Sequence, residues 1–103
     1  MKYRSPRRSK NSDHIFHQYT IKVAAGKRDA LKDHLNRHEI PAMIYYPLGL
    51  HLQNAYRDLG YQKGDFPVTE KISLEVLSLP MHTELEDDQL NHICSTIKTF
   101  FKP

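Results

Sequence analysis

The 103-residue sequence holds a single cysteine, Cys94, and only four glycines. One thiol excludes an intrachain disulfide and a cysteine-rich zinc site. Gly26, Gly49, Gly60 and Gly64 are too scattered to form a glycine-rich phosphate loop. No apolar stretch nears the roughly 18 residues that a transmembrane helix requires, and the N-terminus lacks the apolar segment of a secretory signal. A cytoplasmic protein without a membrane partner, folded on packing alone, is expected. Acidic residues are missing from the first ten positions, where Lys2, Arg4, Arg7, Arg8 and Lys10 stand. The rest of the chain sets ten Lys and Arg against all twelve Asp and Glu, a balance of −2. Positive charge is therefore confined to the tail. Its Ser, Pro and charge content predicts a disordered basic leader over residues 1–13 and a single folded domain over 14–103. A faintly acidic body gives nucleic acid no cluster of phosphate contacts, so nucleic acid is not an expected partner.

What is present is patterned. Residues 15–23, "IFHQYTIKV", alternate with period 2 and are rich in β-branched and aromatic types, which predicts a half-buried strand. Residues 28–38 place Ala30, Leu31, Leu35 and His38 on one face of an amphipathic helix, which Pro41 stops from continuing. "AMIYY", residues 42–46, reads as a second strand. Leu52, Ala55, Tyr56 and Leu59 recur at helical spacing up to Gly60, a suitable C-terminal residue. Pro67 opens a third helix with Val68, Ile72 and Val76 aligned, "LSLP" gives a last strand, and Leu90, Ile93, Cys94, Ile97, Phe100 and Phe101 form the stripe of a fourth helix. The expected fold is α+β: a small three-stranded, mainly antiparallel sheet backed by about four helices, in the order β-α-β-α-α-β-α. Its core is predicted to include Ile15, Tyr19, Ile21, Leu31, Leu35, Ile44, Val68, Ile72, Val76, Leu79, Leu90, Ile93 and Ile97.

The residues by themselves contain no complete catalytic set. His34 and His38 have the i, i+4 spacing of zinc ligands, but no third ligand is evident, so a metal site is not expected. Cys94, on the apolar stripe, is expected to be a buried and inert thiol. The remaining candidate is "YYPLGLHLQNAY", residues 45–56, in which Tyr45, Tyr46, His51 and Gln53 cluster around a rigid turn. Apolar walls with a few polar groups describe a ligand site; they also describe aromatic packing under a loop, with Tyr46 and Tyr56 against Leu48 and Leu52.

"HIFHQYTIKV", "RDALKDHL", "YYPLGLHLQNAY", "LGYQKGDFPVTEK" and "LSLPMHTEL" occur in an order and at spacings that resemble the C-terminal segment of the DegT/DnrJ/StrS sugar aminotransferases, from about His14 to about Phe101. The resemblance implies the small domain of a fold-type I aminotransferase that uses pyridoxal phosphate. It implies that the Schiff-base lysine, the acid facing the pyridine nitrogen and the phosphate site belong to a large domain, in the same polypeptide or a partner chain. The loop after the second strand would then face the cleft in which a nucleotide-linked keto sugar is aminated with glutamate as donor, making Tyr45, Tyr46, His51 and Gln53 substrate-binding residues. Many members have His before the Tyr-Pro pair where this chain has Tyr45. On this reading the chain carries no catalytic residue, binds no cofactor alone, and is inactive as a fragment. The alternative is a free-standing interaction module of the same fold whose basic tail touches nucleic acid.

Overall fold

In the computed structural model, residues 3–24 and 26–102 are described; the parts of the leader and domain assignments that fall on Met1, Lys2, Ala25 and Pro103 lie outside the described residues. Three strands form one antiparallel sheet in the order β1-β2-β3: β1 (Tyr3–Arg4), β2 (Tyr19–Val23) and β3 (Val76–Leu79). Tyr3 pairs with Val23, Tyr19 with Leu79 and Lys22 with Val76. Alternation along β2 sends Ile21 and Val23 to one face and Thr20 and Lys22 to the other. The first face is the core. Leu31 and Leu35 of α1 (Arg28–Arg37) and Ile93 and Ile97 of α3 (Asp87–Phe101) pack on it with Leu77, Ile40 and Ala42. Tyr3 stacks on Phe101 at 5.2 Å between ring centroids, joining β1 to the end of α3. The acidic start of α3 is closed by a reciprocal capping box between Glu86 and Gln89.

The α+β class and the three-stranded antiparallel sheet match the sequence reading, but the third strand comes from a different place. "AMIYY" contributes only an isolated bridge, Met43 to Ser78, because Tyr46 adopts φ 56° and Pro47 follows. Tyr3–Arg4, within the residues read as a leader, supplies the edge strand instead. The strand predicted over 15–23 starts only at Tyr19: Phe16 has φ 50°, and Ile15 is 89% exposed rather than in the core. Residues 51–59 form two short 3-10 segments, Leu50–Leu52 and Asn54–Leu59, split by the extended Gln53 and ended by left-handed Gly60. Val68 and Leu90 are exposed, contrary to expectation. Val68 lies on the side of α2 (Pro67–Ser73) away from the core, and the core-facing stripe of α3 runs through Ile93, Thr96 and Ile97. That same rotation leaves Cys94 exposed rather than buried. Val23, Ile40, Ala42 and Leu77 join the core without having been predicted there.

Arg28 is the one guanidinium in this interior. It is buried, and its Nη1 donates to the carbonyls of Ser73 at 2.8 Å and Val76 at 3.1 Å, while Nε meets Asp29 at 2.8 Å. The start of α1 is thereby tied to the turn that joins α2 to β3.

Candidate functional site

The second face of the sheet, turned away from α1 and α3, is only partly covered. Thr20 Oγ1 and Ser78 Oγ lie 2.8 Å apart on it. The segment 43–50 rises on one side and α2 on the other, leaving a cavity of about 510 Å³ between them. Its walls are Met43, Tyr45, Tyr46, Leu48, Val68 and Ile72, and its floor carries the two hydroxyls. Five of the six wall residues, all but Ile72, are among the exposed large hydrophobic side chains of the chain. Water contact with so much apolar and aromatic surface on one concave face marks a surface made to be covered.

Of the four residues singled out by sequence, the structure brings two to the cavity. Tyr45 and Tyr46 line it, and Tyr46 is 74% exposed. Tyr46 also occupies the left-handed region, which costs a non-glycine residue about 1–3 kcal/mol. His51 and Gln53 lie behind the wall. Gln53 Nε2 donates to the Leu48 carbonyl at 3.2 Å, folding the loop back on itself. The His51 ring is buried, edge-on to Phe66 at 4.9 Å, with Nε2 3.3 Å from Glu70 Oε2. Gly49 is required beside it, since a Cβ there would stand 2.8 Å from the ring.

Glu70 is the residue that sequence reading missed. Its carboxylate accepts both oxygens' worth of contact from the Gly64 amide at 2.9 Å, a bond from the Phe66 amide at 3.2 Å, and the His51 contact. One side chain on α2 therefore fixes the 61–66 connection and the tyrosine-bearing loop together. Glu occurs four residues into a Pro-opened helix, at a spacing that lets a carboxylate reach back to the amides before the helix; that spacing was the available signal. The Gly64 amide, with help from His51 and Phe66 and against the cost of burial, holds the Glu70 carboxyl below the usual glutamate range. A folded-state pKa below the unfolded one means that the latch stabilises the fold above the ordinary glutamate value and loses that contribution as pH falls through the lowered value. The Gly64 and Phe66 amide shifts are expected to titrate together, with a midpoint below the ordinary value, and to stop doing so in Glu70→Gln. A midpoint at or above the ordinary value would contradict the latch.

His34 and His38 sit ring to ring at 4.5 Å, with His38 Nδ1 2.8 Å from the His34 carbonyl. Among the described residues, no three His, Cys, Asp or Glu side chains are grouped to hold a metal ion, and no helix is long and apolar enough to cross a membrane. The cavity lining includes no lysine, arginine or carboxylate. It offers no amine to condense with an aldehyde and no charge to hold a phosphate, so these residues do not fit pyridoxal phosphate by themselves.

Comparison with known proteins gives a consistent result. The profile of the DegT/DnrJ/EryC1/StrS aminotransferase family matches residues 2–98. A pleiotropic regulatory protein of Geobacillus stearothermophilus is 46% identical over 89 residues, which are 86% of this chain and 23% of that protein. The UDP-N-acetyl-3-dehydro-alpha-D-glucosamine 3-aminotransferase of Acidithiobacillus ferrooxidans is 39% identical over 85 residues, 82% of this chain and 22% of that enzyme. Among solved structures, a DegT DnrJ EryC1 StrS aminotransferase from Brucella abortus superposes with a TM-score of 0.87 at 34% identity, covering 99% of this chain and 27% of its own. S. venezuelae DesV, in complex with a ketimine intermediate, superposes with a TM-score of 0.92 at 26% identity, covering 100% and 27%. The chain thus spans about a quarter of the length of the relatives it matches.

Proposed function

The chain belongs to the DegT/DnrJ/EryC1/StrS aminotransferase family, and from that premise we propose that it is the C-terminal small domain of a nucleotide-sugar aminotransferase, supplying part of the keto-sugar pocket. The observation that carries this reading is the aromatic cavity on the sheet face opposite the helices, with Tyr45 and Tyr46 at its rim and the Thr20 and Ser78 hydroxyls at its floor. Rings present apolar faces to a sugar's C–H surface, and hydroxyls offer hydrogen bonds to its polar edge. His51 and Gln53 serve the same pocket from behind, by holding the loop that carries the tyrosines.

Transamination needs more than this. Pyridoxal phosphate would supply the electron sink when bound, and a large domain, elsewhere in the polypeptide or on a partner chain, would hold it and the glutamate donor. Here the task of the chain's own residues is to bind and orient the sugar and to exclude water. The 103-residue chain, mixed with pyridoxal phosphate, glutamate and a nucleotide-linked keto sugar, is expected to show no amino transfer and only substoichiometric absorbance from exposed lysines. A stoichiometric cofactor adduct with turnover would overturn the proposed division of labour.

A further inference from the structure

The open face of the sheet continues past the cavity. Lys22 follows Thr20 by two residues on the same face of β2, about 7 Å further along the strand. Across the ladders Lys22 stands opposite Val76 on one side and Arg4 on the other. Lys71 of α2 adds a third cation, and the three surround a hollow of about 220 Å³ that Glu75 also lines. Like charges directly opposite in an antiparallel pair are destabilising, so the Arg4 and Lys22 pairing calls for something to offset it. Glu75 is buried, yet it forms no ion pair with any of them; among the described residues the side chains of Arg4, Lys22, Lys71 and Glu75 have no hydrogen-bond or ion-pair partner. Among the described residues, the hollow therefore combines three cations and one carboxylate acceptor that are not paired with one another.

We propose that this hollow is a second subsite, which takes the diphosphate and ribose of a nucleotide-linked sugar: Arg4, Lys22 and Lys71 receive the phosphate oxygens, and Glu75 accepts from ribose hydroxyls. The proposal rests on the sugar-pocket reading, and the layout of the two hollows supports it. In such a ligand the diphosphate is bonded directly to the sugar, so the two subsites must adjoin. They do, because Val76 lines the apolar cavity and its cross-strand neighbour Lys22 lines the cationic one. Charge also matches: three cations and one carboxylate leave a balance of +2, against the two negative charges of a diphosphate diester.

The test is a titration of the ¹⁵N-labelled 103-residue chain at constant ionic strength with two probes, inorganic pyrophosphate and UDP-glucose. Both are expected to shift the Lys22, Val23, Lys71 and Glu75 amides saturably, and UDP-glucose alone to extend the shifts to Tyr45, Tyr46 and Ser78. Each charge-assisted contact is worth enough that Lys22→Ala or the helix-surface variant Lys71→Ala should weaken both probes by about tenfold. Glu75→Gln should weaken UDP-glucose severalfold and leave pyrophosphate unaffected, while Arg8→Ala changes neither. Shifts that follow ionic strength alone, that centre on residues 7–10, or that survive both lysine variants would overturn the subsite. UDP-glucose shifts at Tyr45 and Tyr46 with none at Lys22 would overturn it and leave the sugar pocket standing. Saturable shifts at Lys22 and Lys71 with none at the tyrosines would support the subsite and count against the pocket.

Discussion

Leu35→Ala is expected to lower the unfolding free energy by about 2–5 kcal/mol, the range for emptying a fully buried leucine site. Leu35 and its neighbour one turn back, Leu31, have no exposed surface, and they lie where α1 meets both the sheet and α3. Domains of this size have only about 5–15 kcal/mol of stability in total, so the loss takes a large share. A shift of the urea midpoint with an unchanged slope is the expected form of the result. Val68→Ala, at a position 69% exposed, serves as the comparison and should move the midpoint little. Equal effects at the two positions would mean that the core has been misplaced.

Arg28→Met is expected to cost at least about 2 kcal/mol, because bonds from a charged donor contribute about 1.5–3 kcal/mol each. Arg28 sits in the first turn of α1, at the positive end of the helix dipole, where a cation is disfavoured. Its presence there is explained by its two carbonyl acceptors, Ser73 at the end of α2 and Val76 at the start of β3. Methionine fills most of the volume but leaves both carbonyls short of a donor. Lysine restores the charge without the fork that reaches two acceptors, so Arg28→Lys should recover only part of the loss. Urea unfolding of the three proteins checks the order, wild type above Lys above Met. A methionine variant as stable as wild type would show that water replaces the guanidinium.

The elements with strong periodicity were legible in the sequence. Leu31 and Leu35 in α1, and Ile93 and Ile97 in α3, lie in the core because their spacing allows only one face of each helix to meet the sheet. What the sequence obscured depends on single backbone angles and on distant pairing. Ile15 fits a strand by pattern, yet Phe16 at φ 50° turns the chain out before the ladder begins. Tyr46 at φ 56° does the same to "AMIYY". Positive φ at a non-glycine residue has no reliable local signature. The edge strand at Tyr3–Arg4 is too short to leave a periodic trace, and its partner lies some twenty residues away.

At the candidate site, composition singled out the loop that lines the cavity but could not assign its parts. Tyr45, Tyr46, His51 and Gln53 look alike as polar or aromatic residues near a turn, and only packing separates the two on the cavity wall from the two behind it. Glu70 escaped notice because its role depends on amides of Gly64 and Phe66 and on a histidine nineteen residues away. A helix-surface glutamate is the bland reading of such a residue, and here the geometry replaces it.

The most direct test of the proposed pocket joins this chain to the cofactor-binding large domain of a family member and measures amino transfer to a nucleotide-linked keto sugar. The fused enzyme should turn over. Tyr45→Ala and Tyr46→Ala should each lower kcat/KM for the sugar by about tenfold or more, equivalent to about 1.4 kcal/mol of lost binding to the transition state. Neither should change the glutamate half-reaction or the melting temperature appreciably, because both side chains stand at an open rim. An active fused enzyme whose sugar kinetics are the same with and without the two tyrosine rings would contradict the account.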